Sequence, residues 1–125
     1  MPEFFQILQY RGCRVIGLSM PVGVDASEFD RLNQRALASI DDTPGEGWIL
    51  DLADFKYVGS AALGFIVNVR QRVNTGGGRL VLCGVSDSIA AILRTSSLGR
   101  LFEVVEARDD AVALIESWRK RQRKR

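Results

Sequence analysis

The chain has 125 residues, of which 46% are hydrophobic and 26% are charged, a composition typical of a single globular domain with its own core. No apolar run is long enough to span a membrane, and the first residues lack the basic and apolar regions of a secretory signal, so we expect a cytoplasmic protein without membrane insertion. Histidine is absent, which excludes Ser–His and Cys–His nucleophile pairs and argues against a zinc site. The two cysteines, Cys13 and Cys83, fall in predicted strands and are interpreted as buried thiols rather than as a disulfide.

Strands and helices alternate along the chain. The predicted elements are strands over 4–10 and 13–19, a helix over 26–40, a strand over 48–52, a helix over 61–74, a strand over 79–83, a helix over 86–95, a strand over 103–105 and a helix from about 109. The tight Arg11-Gly12 connection predicts that the first two strands are antiparallel. Asp25 or Ser27 is expected to cap the first helix, and glycines 76–78 are expected to end the second helix. The order predicts a single α/β domain with a mixed, mostly parallel sheet flanked by helices and an antiparallel N-terminal strand.

The net charge of +2 conceals an uneven distribution. Residues 119–125 hold six of the 17 lysine and arginine residues, whereas residues 1–118 hold the other 11 together with all 15 acidic residues. We therefore divide the chain into a mildly acidic domain, 1–118, and a basic C-terminal tail, 119–125. The tail is interpreted as a solvated helix end, and steering of an acidic partner is the alternative. No aromatic residue is interleaved with the basic ones, so direct nucleic acid binding is not expected.

The most informative position is Ser60, which follows the predicted strand 48–52 and a loop, and opens an apolar segment with helical spacing. Its hydroxyl is placed at a helix N-terminus, where unpaired N–H groups and the positive end of the dipole favour negative charge. A phosphate would be tolerated there, while a partner docked on the same surface would meet about two new negative charges. On these residues alone, a plain N-cap is the simpler interpretation.

Two carboxylates, Asp51 and Asp54, lie near the end of the same strand, at the edge where α/β proteins place their sites. Either could instead stabilise a turn. No acid pair in the sequence requires general acid–base chemistry.

Four segments, taken in order, resemble a known family. They are Val24-Asp25-Ala26-Ser27, Ile49-Leu50-Asp51-Leu52, Tyr57-Val58-Gly59-Ser60-Ala61-Ala62-Leu63-Gly64, and Gly77-Gly78-Arg79-Leu80-Val81-Leu82 followed by Leu98-Gly99-Arg100-Leu101-Phe102. The ordered set is similar to STAS domains, the module of anti-sigma-factor antagonists and of sulphate-transporter tails, over nearly the whole chain.

The signature around Ser60 departs from the family pattern at three positions. The family has an aspartate before its phosphorylated serine, where this chain has Gly59. The serine or threonine that follows is Ala61 here, and the next glycine is Ala62. Ser60 itself matches the phosphorylated position.

The resemblance implies a non-catalytic partner-switching regulator: an anti-sigma-factor antagonist that binds an anti-sigma factor with serine kinase activity and is released by phosphorylation of Ser60. It implies no cofactor and no metal. The docking face that it implies is the start of the Ser60 helix with the adjoining loops, comprising Asp25, Gly59, Ser60, Ala61, Leu63, Gly64 and Phe65. Phe65 belongs to this face only if it is exposed, and core packing is the alternative for it.

Two other classes of function remain open. One is a phosphorylation-independent adaptor subunit, like the STAS partners of lipid-transporting ATP-binding-cassette systems or of stress-signalling complexes, which the altered signature favours. The other is a small enzyme, which the missing histidine and the lack of a nucleophile–base pair disfavour.

Overall fold

The computed structural model describes residues 5–18, 26–55, 60–97 and 99–123. In chain order its elements are β1 (Phe5–Tyr10), β2 (Cys13–Leu18), α1 (Ala26–Asp42), β3 (Gly47–Asp51), α2 (Ser60–Thr75), β4 (Arg79–Cys83), α3 (Asp87–Thr95), a 3₁₀ turn (Gly99–Leu101), β5 (Val104–Val105) and α4 (Arg108–Arg123). Within these residues the strands form one five-stranded sheet in the order β1-β2-β3-β4-β5. β1 is antiparallel to β2 and the other pairs are parallel, which confirms the predicted mixed α/β sheet.

The β1–β2 hairpin is closed by the two residues Arg11 and Gly12. Both have positive φ, 51° and 83°, and Tyr10 faces Cys13 across the turn. Positive φ at both central residues is the geometry of the type I′ turn, whose twist matches that of paired strands. The predicted tight antiparallel connection is therefore confirmed.

The two faces of the sheet are covered by different helices. Ile16 and Leu50 lie on the face that packs with α1, α2 and α3, whereas Val15 and Ile49 lie on the face that packs with α4. Successive residues of a strand point to opposite faces, so a strand covered on both sides is apolar throughout. This explains why the central strands of the sequence are continuous apolar runs. Cys13 and Cys83 are free, buried thiols on the α4 face, as predicted.

The glycine run ends α2 as predicted. The Gly76 N–H donates to the Arg72 carbonyl at 3.2 Å, and the Gly78 N–H donates to the Val73 carbonyl at 2.9 Å. Gly77 has a φ of 80°, a conformation that residues with a Cβ rarely adopt. The run therefore terminates a helix and precedes a strand, which is not the arrangement of a phosphate-binding loop.

The last helix is longer than the sequence predicted. It begins at Arg108 and continues through Arg123, whereas the sequence analysis had the helix give way to the basic tail after Trp118. Trp118 is buried as expected, and the Arg119 guanidinium lies 3.6 Å from the Glu46 carboxylate. Arginine, lysine and glutamine are good helix formers, and no glycine or proline follows Trp118, so the helix has no signal to stop there.

Candidate functional site

The start of α2 lies at the edge of the sheet where the parallel strands β2, β3 and β4 end, which we call the carboxyl edge. β3 ends at Asp51 and α2 begins at Ser60, the residue that the sequence predicted as the opening of this helix. Residues 56–59, the second half of the connection, lie outside the described residues, as does the side chain of Ser60. The N-cap prediction for the Ser60 hydroxyl therefore stays a prediction.

The first half of this connection is fixed to the core. Leu52 and Phe55 are both buried. The Leu52 N–H donates to the Cys83 carbonyl at 3.0 Å, which extends the β3–β4 pairing by one bond, and the Phe55 N–H donates to the Leu52 carbonyl at 3.1 Å. Gly84, with a φ of 67°, approaches so closely that a Cβ there would lie 2.8 Å from the Ala53 nitrogen. The chain therefore enters the segment before Ser60 from a rigid position.

Asp51 has a structural role at this edge. Its Oδ1 accepts a hydrogen bond from the Ala53 N–H at 3.0 Å, and its Oδ2 lies 2.6 Å from the Arg108 Nε at the start of α4. The carboxylate side chain is 15% exposed. It thus holds the β3–α2 turn to α4, so the turn-stabilising interpretation applies to Asp51. Asp54 is exposed.

The outward side of α2 is lined by small and apolar residues. At about 100° per residue, Leu63, Gly64 and Val67 fall on the same side of the helix as Ser60, and we call these four positions the outer stripe of α2. Gly64 is exposed, and a Cβ built on it would have no atom within 4 Å. Leu63 and Val67 are half-buried. A partner could therefore approach the helix backbone closely at this stripe.

The structure brings together only part of the predicted docking face. Ala61, Leu63 and Gly64 share the first two turns of α2 with Ser60. Asp25 and Gly59 lie outside the described residues, so their part in the face is untested. Phe65 does not belong to the face: it is 2% exposed and packs in the core, the alternative that the sequence had left open, because it falls on the inward side of α2 beside Ile66. Val67 was missed, although its spacing of seven residues from Ser60 could have placed it on the stripe.

The titratable groups of the described residues offer no activated nucleophile. Burial, with a further contribution from the Asp51 carboxylate, raises the pKa of the Cys83 thiol to about 12. Burial likewise raises the pKa of the Cys13 thiol. Thiols that stay protonated near neutral pH are poor nucleophiles. Among the described residues there is also no cluster of three or more cysteine, aspartate or glutamate side chains that could hold a metal ion.

The basic end of α4 lies at the opposite edge of the sheet. Arg108, at the start of α4, contacts Asp51 at the carboxyl edge, whereas Arg119 contacts Glu46, just before β3 begins. Lys120, which follows, is exposed. The concentration of positive charge is therefore separated from the start of α2 by the length of the sheet.

Comparison with known proteins identifies the family. A model of the STAS domain matches residues 5–111, which is most of the chain. The chain belongs to the STAS domain family, and the resemblance in the sequence is confirmed. In the part of the chain that the structure describes, no helix is both long and apolar enough to cross a membrane.

Solved structures share the fold at low sequence identity. An anti-sigma-factor antagonist (STAS) domain protein from Planctomyces limnophilus is 17% identical, with a TM-score of 0.74 over 89% of this chain and 96% of that one. The phosphorylated form of the Bacillus cell fate determinant SpoIIAA is 17% identical, with a TM-score of 0.67 over 89% of this chain and 98% of that one. The murine anion transporter Slc26a9 is 12% identical, with a TM-score of 0.71 over 88% of this chain but only 18% of that one. These similarities show that the fold occurs both alone and within a transporter.

Proposed function

We propose that this protein is a non-catalytic partner-switching regulator, an anti-sigma-factor antagonist that binds an anti-sigma factor with serine kinase activity and is controlled by phosphorylation of Ser60. The observation on which the proposal rests is the position of Ser60. It opens α2 at the carboxyl edge of the sheet and begins a stripe of small and half-buried apolar residues that includes the exposed Gly64. Small and apolar residues in the first two turns of α2 fit a docking face on which one modified hydroxyl changes the contact.

The charge around Ser60 supports a phosphate there. The first turn of α2 contains no acidic residue, so a phosphate on Ser60 would meet the positive end of the helix dipole without repulsion from a carboxylate in that turn. A phosphoserine has a charge of about −1.5 to −2 at neutral pH. The modification would therefore be compatible with the folded helix. It would at the same time disfavour a partner whose docked surface excludes water from the stripe.

Other proteins with this fold also support the proposed role. Structures with this fold include an anti-sigma-factor antagonist domain protein and a phosphorylated form of SpoIIAA. At 17% identity these similarities concern the fold, so the phosphorylation of Ser60 and the kinase partner are proposals for this chain.

Mapping the modified residue tests the chemistry. The purified protein is incubated with ATP and with the serine-kinase anti-sigma factor encoded nearest to its gene, and the product is mapped by mass spectrometry. We expect phosphate on Ser60. Ser86 is an internal control, because it directly precedes a helix that follows a parallel strand, and as the N-cap of α3 its Oγ accepts a hydrogen bond from the Ile89 N–H at 3.2 Å. Phosphate on Ser86 or elsewhere but not on Ser60, from a kinase shown to bind, would overturn the proposal.

The second candidate is a phosphorylation-independent adaptor subunit of a lipid-transporting ATP-binding-cassette system or of a stress-signalling complex. It is favoured by the signature itself, in which Gly59 replaces the usual aspartate and Ala61 replaces the next hydroxyl residue. The occurrence of the fold within the transporter Slc26a9 also supports it. If the protein is such an adaptor, the outer stripe of α2 is still a docking face, but a negative charge at residue 60 does not regulate partner binding.

A further inference from the structure

A groove separate from the start of α2 lies between α3, the 3₁₀ turn and β5. Its volume is about 860 Å³, which is within the range of small-molecule sites. Val85, Leu93 and Val104 line it with apolar surface. Val104, on the two-residue edge strand β5, remains 47% exposed. The groove therefore offers apolar area that the fold itself does not cover.

The polar part of the groove has one sign of charge. Among the described residues, Arg94 and Arg100 line it, and no aspartate or glutamate does. Within the described part of the chain, neither guanidinium forms an ion pair, in contrast to Arg72, Arg79 and Arg108, which each pair with a carboxylate. Two unpaired guanidinium groups beside an apolar floor are complementary to an anion that has an apolar body.

The arginines are not needed to satisfy the end of α3. A cation in the last turn of a helix often complements the negative end of its dipole, which is the structural explanation for Arg94. Here carbonyls near the end of α3 already have side-chain donors: the Thr95 hydroxyl donates to the Ala91 carbonyl at 3.0 Å, and the Ser96 hydroxyl donates to the Leu93 carbonyl at 3.1 Å. The Ser96 N–H also donates to the Ile92 carbonyl. The guanidinium groups therefore remain available to a ligand.

The walls of the groove are held in place by the rest of the fold. Gly99 lies so close to α3 that a Cβ on it would overlap the Leu93 carbonyl oxygen. The Arg70 Nε donates to the Leu101 carbonyl at 2.9 Å, which ties the 3₁₀ turn to α2. Arg79 pairs with Glu103, which ties the start of β5 to β4. A groove whose walls are fixed before binding is typical of a small-molecule site.

We propose that this groove binds a small amphipathic anion, with a carboxylate or phosphate held between Arg94 and Arg100 and an apolar chain on Leu93, Val85 and Val104. The site is independent of Ser60, so it stands whether the protein is a phosphorylation switch or an adaptor.

Titration of the full chain followed by amide NMR tests the proposal. The probes are octyl phosphate and octanoate below their micelle concentrations, octanol as the uncharged analogue and inorganic phosphate as the anion without a chain. We expect saturable shifts around Leu93 and Val104 with octyl phosphate or octanoate, and at least about tenfold weaker binding of octanol and of inorganic phosphate. The tighter of the two anionic probes identifies the head group. The proposal would be overturned if octanol bound as tightly as both anionic probes, or if inorganic phosphate bound as tightly as either of them. It would also be overturned if no probe bound saturably.

Variants locate the site. The double substitution Arg94→Gln and Arg100→Gln should weaken the tighter anionic probe by about tenfold or more, because each charge-assisted hydrogen bond is lost. Arg31→Gln is the matched control, since Arg31 is an exposed arginine on α1 that does not line the groove, and it should leave the affinity unchanged. Thermal unfolding of all variants shows that they are folded. Equal affinity in the double variant and the control would overturn the assignment.

Discussion

At the scale of single residues, Ser60 and Ser86 occupy related positions. Ser60 opens α2 and Ser86 directly precedes α3, and each helix follows a parallel strand. Ser86 is half-buried and its hydroxyl caps α3, whereas Ser60 opens a helix whose next exposed positions are Ala61 and Gly64. The second setting leaves room for a partner, and for this reason the proposed switch is assigned to Ser60.

The Asp51 carboxylate provides a stability test of its structural role. Asp51→Ala removes both the ion pair with Arg108 and the turn bond from the Ala53 N–H, so we expect a loss of about 2 kcal/mol in the free energy of unfolding. Asp54→Ala, three residues later and exposed, is the control and should change stability by less than about 0.5 kcal/mol. Urea unfolding of both variants measures the difference. Equal stability of the two variants would show that the Asp51 contacts contribute nothing.

The raised pKa of the Cys83 thiol predicts that the stability of the protein falls at alkaline pH. Its pKa is raised from 9.0 to about 12 by burial and then by Asp51, so above pH 9 the unfolded state ionises while the folded state does not. Its contribution to stability is fully present below pH 9 and should be lost as pH rises toward 12. The free energy of unfolding of Cys83→Ala should therefore fall less steeply over this range than that of the unaltered protein. Parallel slopes in the two proteins would contradict the raised pKa.

At the scale of elements, the accuracy of the sequence prediction follows from how local each signal is. The hairpin at Arg11-Gly12 and the stop at Gly77 were predicted correctly, because positive φ is a requirement of a few adjacent residues. The inward direction of Phe65 was left open, because a helix with small residues on several sides does not show which side faces the sheet. The extension of α4 to Arg123 was not predicted although its signal is local, because the change to a run of basic residues after Trp118 was interpreted as the start of a tail.

The groove beside β5 could not have been found from the sequence. Arg94 and Arg100 are six residues apart, and nothing in their spacing indicates that they line one cavity with Val104. Both line the groove where Gly99 approaches the end of α3 closely. Such sites depend on tertiary packing rather than on periodicity.

Gly64 in α2 and Gly84 directly after β4 give a matched pair of glycine predictions. Gly64→Ala lies inside the helix with open space around the added methyl group, so we expect unfolding to become more costly by about 0.5–1 kcal/mol. Gly84→Ala should destabilise the protein, because Gly84 has a positive φ and the new Cβ would meet Ala53. Thermal unfolding compares the two. A Gly64→Ala variant less stable than the unaltered protein would show that the outer stripe of α2 is more crowded than described.

At the scale of the whole molecule, the two edges of the sheet have different characters. The carboxyl edge holds the start of α2, and the opposite edge holds the basic end of α4 beside Glu46. Because exposed charges are screened over about 8 Å at physiological salt, the basic end should have little influence on a partner docked at Ser60. The start of α2 and the basic end of α4 thus lie on two separated surfaces.

Truncation tests this separation. Deletion of residues 121–125 keeps Arg119 and its contact with Glu46. We therefore expect the free energy of unfolding and the free energy of binding to the partner docked at Ser60 each to change by less than about 0.5 kcal/mol. Association rates of the truncated and full-length proteins are compared at low and high salt. A large, salt-sensitive loss of rate on truncation would show instead that the tail steers the partner.

The most direct test of the central claim is the calorimetric affinity of three proteins for the serine-kinase anti-sigma factor: the unaltered chain, Ser60→Ala and Ser60→Asp. Ser60→Ala should bind nearly as tightly as the unaltered chain, with a cost of roughly 1 kcal/mol in stability if the hydroxyl caps α2. Ser60→Asp should bind at least about tenfold more weakly, because its charge lies on the docked surface without a compensating partner. Folded Ser60→Ala and Ser60→Asp proteins with equal affinity would contradict the phosphorylation switch and favour the adaptor.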